Sequence, residues 1–400
     1  LSQVAVILPC YNHAHYLPQA LASVLAETRP ADDIVVVDDG STDDTAAVAA
    51  DFAPRVRYVH RPNGGLSAAR NTGIAATSAE LLAFLDADDL WTPDFLATLV
   101  PVLQRSPQLG AVHGGAGFID AEGQPLAQQA TRVEPPDRVH DALIDGDYFP
   151  AHAVLVRRTA FDTVGTFDES LNASEDWDMW LRISARFAFG GVPDIVALYR
   201  MHGDNMSKDL GRMHASQLAV VRKNFGPEDG EPDTWPVDRR RAYAGIYFWR
   251  AMAQNRHGRP AEGRGDLRHA AELWPALVTR LDTWYGLGCA AQAMGQLGDV
   301  AALDLEDASR RVTEALAQTF APPMPPDLAA IAPEAHAVAY QALGRLAWSQ
   351  GRTDAARHWL ARAARSQPKI LAERAWLADS VRALAGRRLV AAFKGWHAAG

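Results

Sequence analysis

The first 90 residues alternate between two apolar periods, and that alternation limits the fold more than any other feature. Short runs rich in Val, Ile and Leu, "VAVILP" (4–9), "DIVVVDD" (33–39), "RVRYVH" (55–60) and "LLAFLDADD" (81–89), read as strands. Between them "HYLPQALASVLAE", "DDTAAVAADF" and "GLSAARNTGIAAT" read as helices. Strands and helices in this order make right-handed βαβ units and a mostly parallel sheet. Such sheets bind ligands beyond the carboxyl ends of their strands. Cys10 and Tyr11, Asp38 and Asp39, and Asp86 and Asp88 all fall at those ends. Carboxylates form strands poorly and are costly to bury unpaired. Their placement therefore points to a site rather than to simple strand termination.

The next part, residues 92–215, is mixed. "LGAVHGGAGFIDAEGQPL" reads as a strand and hairpin, and "AVLVRRTAFDTVGTFDE" as a strand, a short helix and a turn. "SEDWDMWLRISARF" reads as a helix with Ser174 at its N-cap and acids in its first turn. "DIVALYRMH" reads as a last strand. "GPEDGEPDTWP" (226–236) has the Pro, Gly and acid content of a linker. The expected division is residues 1–225, a linker at 226–236, and an all-α domain over 237–400. Within the latter, "GRPAEGRGDLRHAAELWP" (258–275) aligns without gaps on "GRTDAARHWLARAARSQP" (351–368), a helix–turn–helix repeat similar to tetratricopeptide repeats.

Composition narrows the function classes. A chain of 400 residues exceeds one ordinary core. Residues 237–400 hold 22 Lys and Arg against 15 Asp and Glu, which leaves 17 against 33 of the chain's 39 and 48 for the first 236. An acidic first part argues against a nucleic-acid groove there. No run approaches the ~20 apolar residues of a membrane span, and no signal peptide is expected because the chain enters a strand pattern at once. The two cysteines, Cys10 and Cys289, have neither metal nor disulfide spacing. A cytoplasmic location is expected, with at most peripheral contact with the inner membrane. In the closing segment "GRRLVAAFKGWHAAG", Leu389, Phe393 and Trp396 share a helical face beside Arg and Lys, and packing on the last repeat is the expected role of that face.

Six ordered motifs, "VILPCYN" with "LASVLAET", "DIVVVDDGSTDDT", "RPNGGLSAARNTGI", "LAFLDADDLW", "FDESLNASEDWDMWLR" and "YRMHGDN", resemble the family 2 glycosyltransferases, inverting enzymes of the GT-A fold. The resemblance covers about residues 3–205 and departs from the family at Glu27, where Gln is usual. It implies a GT-A, Rossmann-like α/β domain that transfers a sugar from a nucleoside-diphosphate donor, with a UDP-sugar expected.

The residues support that chemistry in their own terms. Asp86 and Asp88, at i and i+2 of an extended segment, can turn to one side, and two hard oxygens beside a diphosphate suit Mg²⁺ or Mn²⁺. The resemblance gives Asp88 as the firmer metal ligand, Asp86 as metal or ribose ligand, and His202, after Arg200 in "YRMHGDN", as diphosphate contact or third ligand. Asp89 alone reads as a helix cap. Asp38, with Asp39 second, is implied for the nucleoside, Pro9 and Tyr11 for framing the base, and Arg70 for the nucleotide; Ser41 and Thr42 read as caps of the following helix. An inverting transfer needs a base for the acceptor hydroxyl. The resemblance assigns this to Asp176, with Glu175 orienting it or binding acceptor hydroxyls. The acceptor is expected to be a glycan, a lipid-linked molecule or a protein, and the helical repeats to dock a protein partner or the acceptor. Sugar nucleotidyltransferases share the architecture, but their Gly-rich opening loop is missing from "LPCYNHAHYLP". A degenerate domain that binds nucleotide sugars and docks a partner is the non-enzyme alternative, against which the retained Asp86/Asp88 and Glu175/Asp176 pairs count.

Overall fold

The computed structural model describes residues 2–372 and 376–380. The chain divides into two compact units, one ending at Glu228 and the next beginning at Asp229.

The first unit is α/β. Its strands are β1 (Val4–Cys10), β2 (Asp33–Asp38), β3 (Arg57–His60), β4 (Leu81–Phe84), β5 (Leu90–Trp91), β6 (Leu109–Ile119), β7 (Pro125–Ala130), β8 (Val154–Arg157) and β9 (Ala188–Arg200). Its helices are α1 (Leu17–Leu25), α2 (Thr45–Asp51), α3 (Leu66–Ala75), α4 (Phe95–Arg105), α5 (Val139–Ile144), α6 (Arg158–Val164), α7 (Glu175–Ser184) and α8 (Leu210–Phe225). One sheet runs in the order β3-β2-β1-β4-β8-β6-β9-β5, with β7 paired to β6. The four strands of the first 90 residues are mutually parallel. Beyond them the sheet is mixed: β8 is antiparallel to β4 and β6, and β9 returns parallel to β6.

Burial follows the sequence pattern. Every residue of β1 is buried, as expected of a strand covered on both faces. Leu17, Ala20, Leu21 and Val24 give α1 its apolar stripe. Gly73 allows α3 to lie directly on β1, because a β-carbon there would fall 2.3 Å from a methyl of Ile7. Pro9 is tolerated inside the sheet for a geometric reason. Ile7 accepts a hydrogen bond from the Leu85 N–H, so the odd-numbered residues of β1 turn their amides toward β4. The β4 pairing ends at Ile7 with Phe84, so no partner strand needs the N–H that Pro9 lacks.

Glu27 has a structural task. It is buried at the start of α4, where its carboxyl accepts the N–H groups of Phe95 (3.0 Å) and Leu96 (2.9 Å). Burial nevertheless pushes its pKa up to about 7, against the opposing pull of those two N–H groups. The unfolded carboxyl releases its proton first as pH rises past 4.5. This contribution to stability is therefore full below pH 4.5 and is lost as pH rises through about 7. Glu27→Gln should remove it, a difference on the order of 3 kcal/mol at most. Urea midpoints of both proteins at pH 5 and pH 8 check this, and an identical pH dependence would refute it.

The second unit is helical: α9 (Val237–Arg256), α10 (Pro260–Leu273), α11 (Leu281–Cys289), α12 (Leu305–Thr319), α13 (Pro326–Ser349) and α14 (Thr353–Ser366). Trp235 is buried under Arg239 and beside Tyr243, so the end of the linker-like stretch is folded into this unit. The gapless alignment has a structural counterpart. α9 packs on α10 as α13 packs on α14, and Pro260–Leu273 corresponds residue for residue to Thr353–Ser366. One-turn helices, Pro275–Thr279 and Pro368–Ala372, follow both at the same point. Gly258 and Gly351 take positive φ in the two turns. The "APPMPP" stretch separates α12 from α13. The face with Leu389, Phe393 and Trp396 lies outside the described residues. Among the described residues no helix is long and apolar enough to cross a membrane.

Candidate active site

The loops after β1, β2 and β3 form one end of the site. Asn12 takes a left-handed φ of 55° and ties the first two loops together. Its N–H donates to the Ser41 hydroxyl (3.0 Å) and its side-chain oxygen accepts the Thr42 N–H (2.8 Å). Ser41 and Thr42 therefore do not cap α2; Asp43 accepts the Thr45 N–H at its start. Asp38 is buried and accepts from the Ser41 N–H (2.8 Å) and the Tyr58 hydroxyl (2.5 Å). Burial alone would raise its pKa, but these donors outweigh it and hold the carboxyl below its ordinary value. Asp39 is buried against Arg61 and accepts the N–H groups of Gly64 and Gly65, closing the turn into α3. Tyr11 stands 49% exposed at the end of β1, with its ring free to stack.

The acidic loop after β4 distributes its three carboxylates. Asp86 receives the Arg70 guanidinium at 2.8 and 3.1 Å. Asp88 meets His202 Nε2 at 2.8 Å, and its side chain keeps 16% exposure. Burial opposes ionisation of Asp88, but His202 and the nearby His13 hold its pKa below the ordinary value. Asp89 turns inward, accepts the Arg200 N–H (2.8 Å) and pairs with His152 Nδ1 at 2.9 Å. Burial raises Asp89 to about 6, and the charge of Asp89 raises His152 against its own burial. Asp89 is thus no helix cap: β5 follows it, and the cap of α4 comes from Glu27.

Arg70 is buried, not on the surface. One arm pairs with Glu175, the other with Asp86, and its guanidinium lies over the Phe167 ring. Burial would lower its pKa, but Asp86 and Glu175 raise it and keep the charge. Glu175 is 4% exposed and spent on Arg70, so it faces the guanidinium rather than solvent. Asp176 is half-buried and accepts its neighbour's N–H, that of Trp177, at 2.9 Å. Burial raises its pKa, Arg70 opposes this, and the Asp86 charge adds to it. Ser174 occupies the N-cap position at φ 56° without a side-chain capping bond. Acids in the first turn, Glu175, Asp176 and Asp178, favour the helix end instead. Trp177 and Trp180 are buried in the core, with Trp177 donating to the Leu143 carbonyl, so neither stacks on a sugar. Asp178 has no exposed surface and binds Arg182, Lys223 and Asn224, which pins α7 to α8.

Sequence reasoning left Tyr58, His152 and Asn12 without a role, because each acts through a contact distant in the chain, and left Asn205 without one although its partners, Arg200 and His202, lie within five residues of it. It also passed over Asp147, in the loop before β8. Loss of solvation, and then the charge of Asp176, hold the Asp147 carboxyl well above the carboxylate range. The residue itself stays exposed, so the raising comes chiefly from the charge of Asp176.

Donors suited to a divalent cation lie in two places. Asp88 and His202 pair at the rim, while Asp86, on the same loop, is turned to Arg70. Among the described residues, the three donors whose ligand atoms lie within 4.8 Å of one another are Asp86, Asp89 and His152. Carboxylate oxygens with one imidazole fit Mn²⁺ or Mg²⁺. Both places hold an Asp–His pair, Asp89 with His152 and Asp88 with His202, and the rim pair is the more exposed of the two.

A Rossmann-like sheet carrying acids at its strand ends and a second acidic pair at a helix N-terminus defines a nucleotide-sugar transferase fold. Residues 5–165 match the family model of glycosyl transferase family 2, and the N-terminal unit belongs to that family. The chain is similar to an uncharacterized glycosyltransferase of Rickettsia felis, 30% identical over 228 residues, with 56% of this chain and 38% of that protein covered. It is 34% identical over 218 residues to an uncharacterized glycosyltransferase of Nostoc, covering 51% of this chain and 66% of that one. The chain thus spans well under half of the first relative and about two thirds of the second. Among solved structures, S. aureus TarS 1-349 in complex with UDP-GlcNAc shares the fold, with a TM-score of 0.50 at 14% identity over 85% of this chain and 91% of that one.

Proposed function

We propose that the chain is a metal-dependent inverting glycosyltransferase that moves a sugar from a UDP-sugar to an acceptor hydroxyl, in bacterial surface-polysaccharide, glycolipid or protein glycosylation. The observation that carries this reading is the Arg70 bridge. One buried guanidinium joins Asp86 of the acidic loop to Glu175 at the start of α7, so the donor-side and base-side acids share one cleft. Asp38 and Tyr11 receive the nucleoside, Pro9 contributes a backbone group, and Asp39 shapes the turn below. Asp86, Asp88 and His202 would hold Mg²⁺ or Mn²⁺, which when bound supplies Lewis-acid stabilisation of the departing diphosphate. Asp176 takes the proton of the acceptor hydroxyl. Its half-buried carboxyl, whose pKa burial raises above the ordinary aspartate value, is a stronger base than a solvated one. Glu175 acts through Arg70 to hold that arrangement.

Donor hydrolysis is the direct test. The purified protein with Mn²⁺ and a panel of UDP-sugars should release UDP without acceptor, and no release from any nucleotide sugar would reject the enzyme reading. Asp88→Ala should weaken UDP binding and abolish its dependence on Mn²⁺ or Mg²⁺. Calorimetric titration with and without metal reads this, and metal-dependent binding that persists in the variant removes Asp88 from the metal.

The second unit is read as a tetratricopeptide-like docking module for the acceptor or a partner protein, supported by its repeated helical hairpin. A chain ending at Glu228 should keep donor hydrolysis and lose transfer to the natural acceptor; undiminished transfer would refute the module's role. Both cysteines are free and buried, which accords with a cytoplasmic, reducing setting, free or peripheral to the inner membrane.

A further inference from the structure

Arg200 closes β9 and has no exposed surface, yet among the described residues its guanidinium donates only to uncharged oxygens. Nε donates to the Asp88 carbonyl (2.7 Å), one terminal nitrogen to the Ala121 carbonyl (3.0 Å) and the other to the Gln19 side-chain oxygen (2.8 Å). The plane lies 4.9 Å from the centre of the Tyr16 ring, which itself sits 5.1 Å from His202. The main chain of Arg200 is equally committed. Its N–H goes to Asp89 (2.8 Å) and its carbonyl accepts the Asn205 side-chain amide (2.9 Å). The oxygen of that same Asn205 side chain accepts the His202 N–H at 2.6 Å. One residue therefore fixes the peptide of Asp88 and, through Asn205, the peptide of His202. These are the two side chains that meet at the rim.

Buried charges normally sit against carboxylates. Here the side-chain fork is used as a geometric brace, for which a planar five-donor group is suited and an ammonium is not. We infer that Arg200, with Asn205, is the positioning element of the cation and diphosphate end, holding Asp88 and His202 in register before the donor arrives. The inference rests on the proposed function for the roles of Asp88 and His202, and adds residues that touch neither donor nor metal. Groups that orient metal ligands from behind typically contribute 10- to 100-fold in affinity.

The test uses the full chain and two variants, Arg200→Lys and Asn205→Ala. The probes are UDP and GDP, titrated calorimetrically with and without Mn²⁺. Each variant should weaken Mn²⁺-dependent binding by about 10- to 100-fold. Metal-free binding, carried by the Asp38 end, should stay near that of the wild type. Raising Mn²⁺ should restore affinity in the variants, which a merely destabilised protein would not show. Wild-type Mn²⁺ dependence in Asn205→Ala overturns the inference, even if Arg200→Lys is poorly folded. Equal losses with and without metal also overturn it, since they mark general damage. A wild-type protein that binds neither nucleotide overturns the proposed function itself, a result distinct from either.

Discussion

Asp176→Asn is expected to lower transfer by about 10²–10⁴, the usual contribution of a positioned base, while nucleoside-diphosphate and metal binding stay nearly intact. Asn keeps the size of the side chain and its bond from the Trp177 N–H, but it cannot take a proton. The pH profile sharpens the expectation. Burial, with the Asp86 charge, raises the Asp176 carboxyl above its ordinary value, and the base must be ionised to act. The acid limb of kcat/KM should therefore lie above the ordinary aspartate range and vanish in the variant. Glu175→Gln should differ in kind. Its carboxylate is spent on Arg70, so its loss disturbs orientation and raises the acceptor KM at least as much as it lowers kcat. Steady-state kinetics with varied acceptor, run beside a UDP titration, separates the two. Retention of more than about a tenth of the rate in Asp176→Asn, far above what loss of a base allows, would move the base to Glu175, Asp178 or Glu169. Of these, Asp178 is already the weakest choice, because it is fully buried and bound by Lys223, Asn224 and Arg182.

Arg70→Met should destabilise the first unit strongly, and should also abolish transfer. The guanidinium lies between Asp86 and Glu175, with the Asp176 charge close by. Removing it leaves Glu175 buried and unpaired, and breaking such a pair costs about 3–5 kcal/mol. The deficit should depend on pH with a definite sign. Without Arg70 the folded Glu175 carboxyl rises further above its unfolded value, so the native state binds the proton more tightly. The variant's stability is then greatest in acid and falls as pH rises. Its deficit relative to wild type should be larger at pH 8 than at pH 5 in urea denaturation. Arg70→Lys should rescue little, since one ammonium cannot replace a fork that reaches two carboxylates. A deficit independent of pH would show that Arg70 contributes through packing on Phe167 rather than through charge.

The strand ends were legible because short-range pattern sets them. Short continuous apolar runs, punctuated by Gly, Pro and Asp, place β1, β2 and β4 and leave Tyr11, Asp38, Asp86 and Asp88 at the carboxyl edge. The helix bearing Glu175 and Asp176 was legible for the same reason, through its apolar stripe and acidic first turn. The helical hairpins of the second unit were legible as a repeat, since like sequence at like spacing folds alike. The order of strands beyond β4 was not, because the pairing of β6 with both β8 and β9 depends on segments far apart in the chain.

Side-chain partners were decided only in three dimensions. The acidic loop announces three carboxylates, but nothing within it separates Asp86, facing Arg70, from Asp88, facing His202, or from Asp89, turned inward to His152. Those partners come from α3, from the loop after β9 and from the turn before β8, and only the closed sheet brings them within hydrogen-bond range. Arg70 shows the same limit. As a helical arginine it reads as a nucleotide contact or a surface ion pair, yet the packing of α3 on β1 and β2, with Phe167 against the guanidinium, buries it, and a buried charge must take the carboxylates available. The sequence by itself thus determined which residue types stand at the strand ends and at the start of α7. The tertiary structure decided which of them face solvent and which neutralise one another, because Coulombic and hydrogen-bond partners are chosen by distance in space and not by position along the chain.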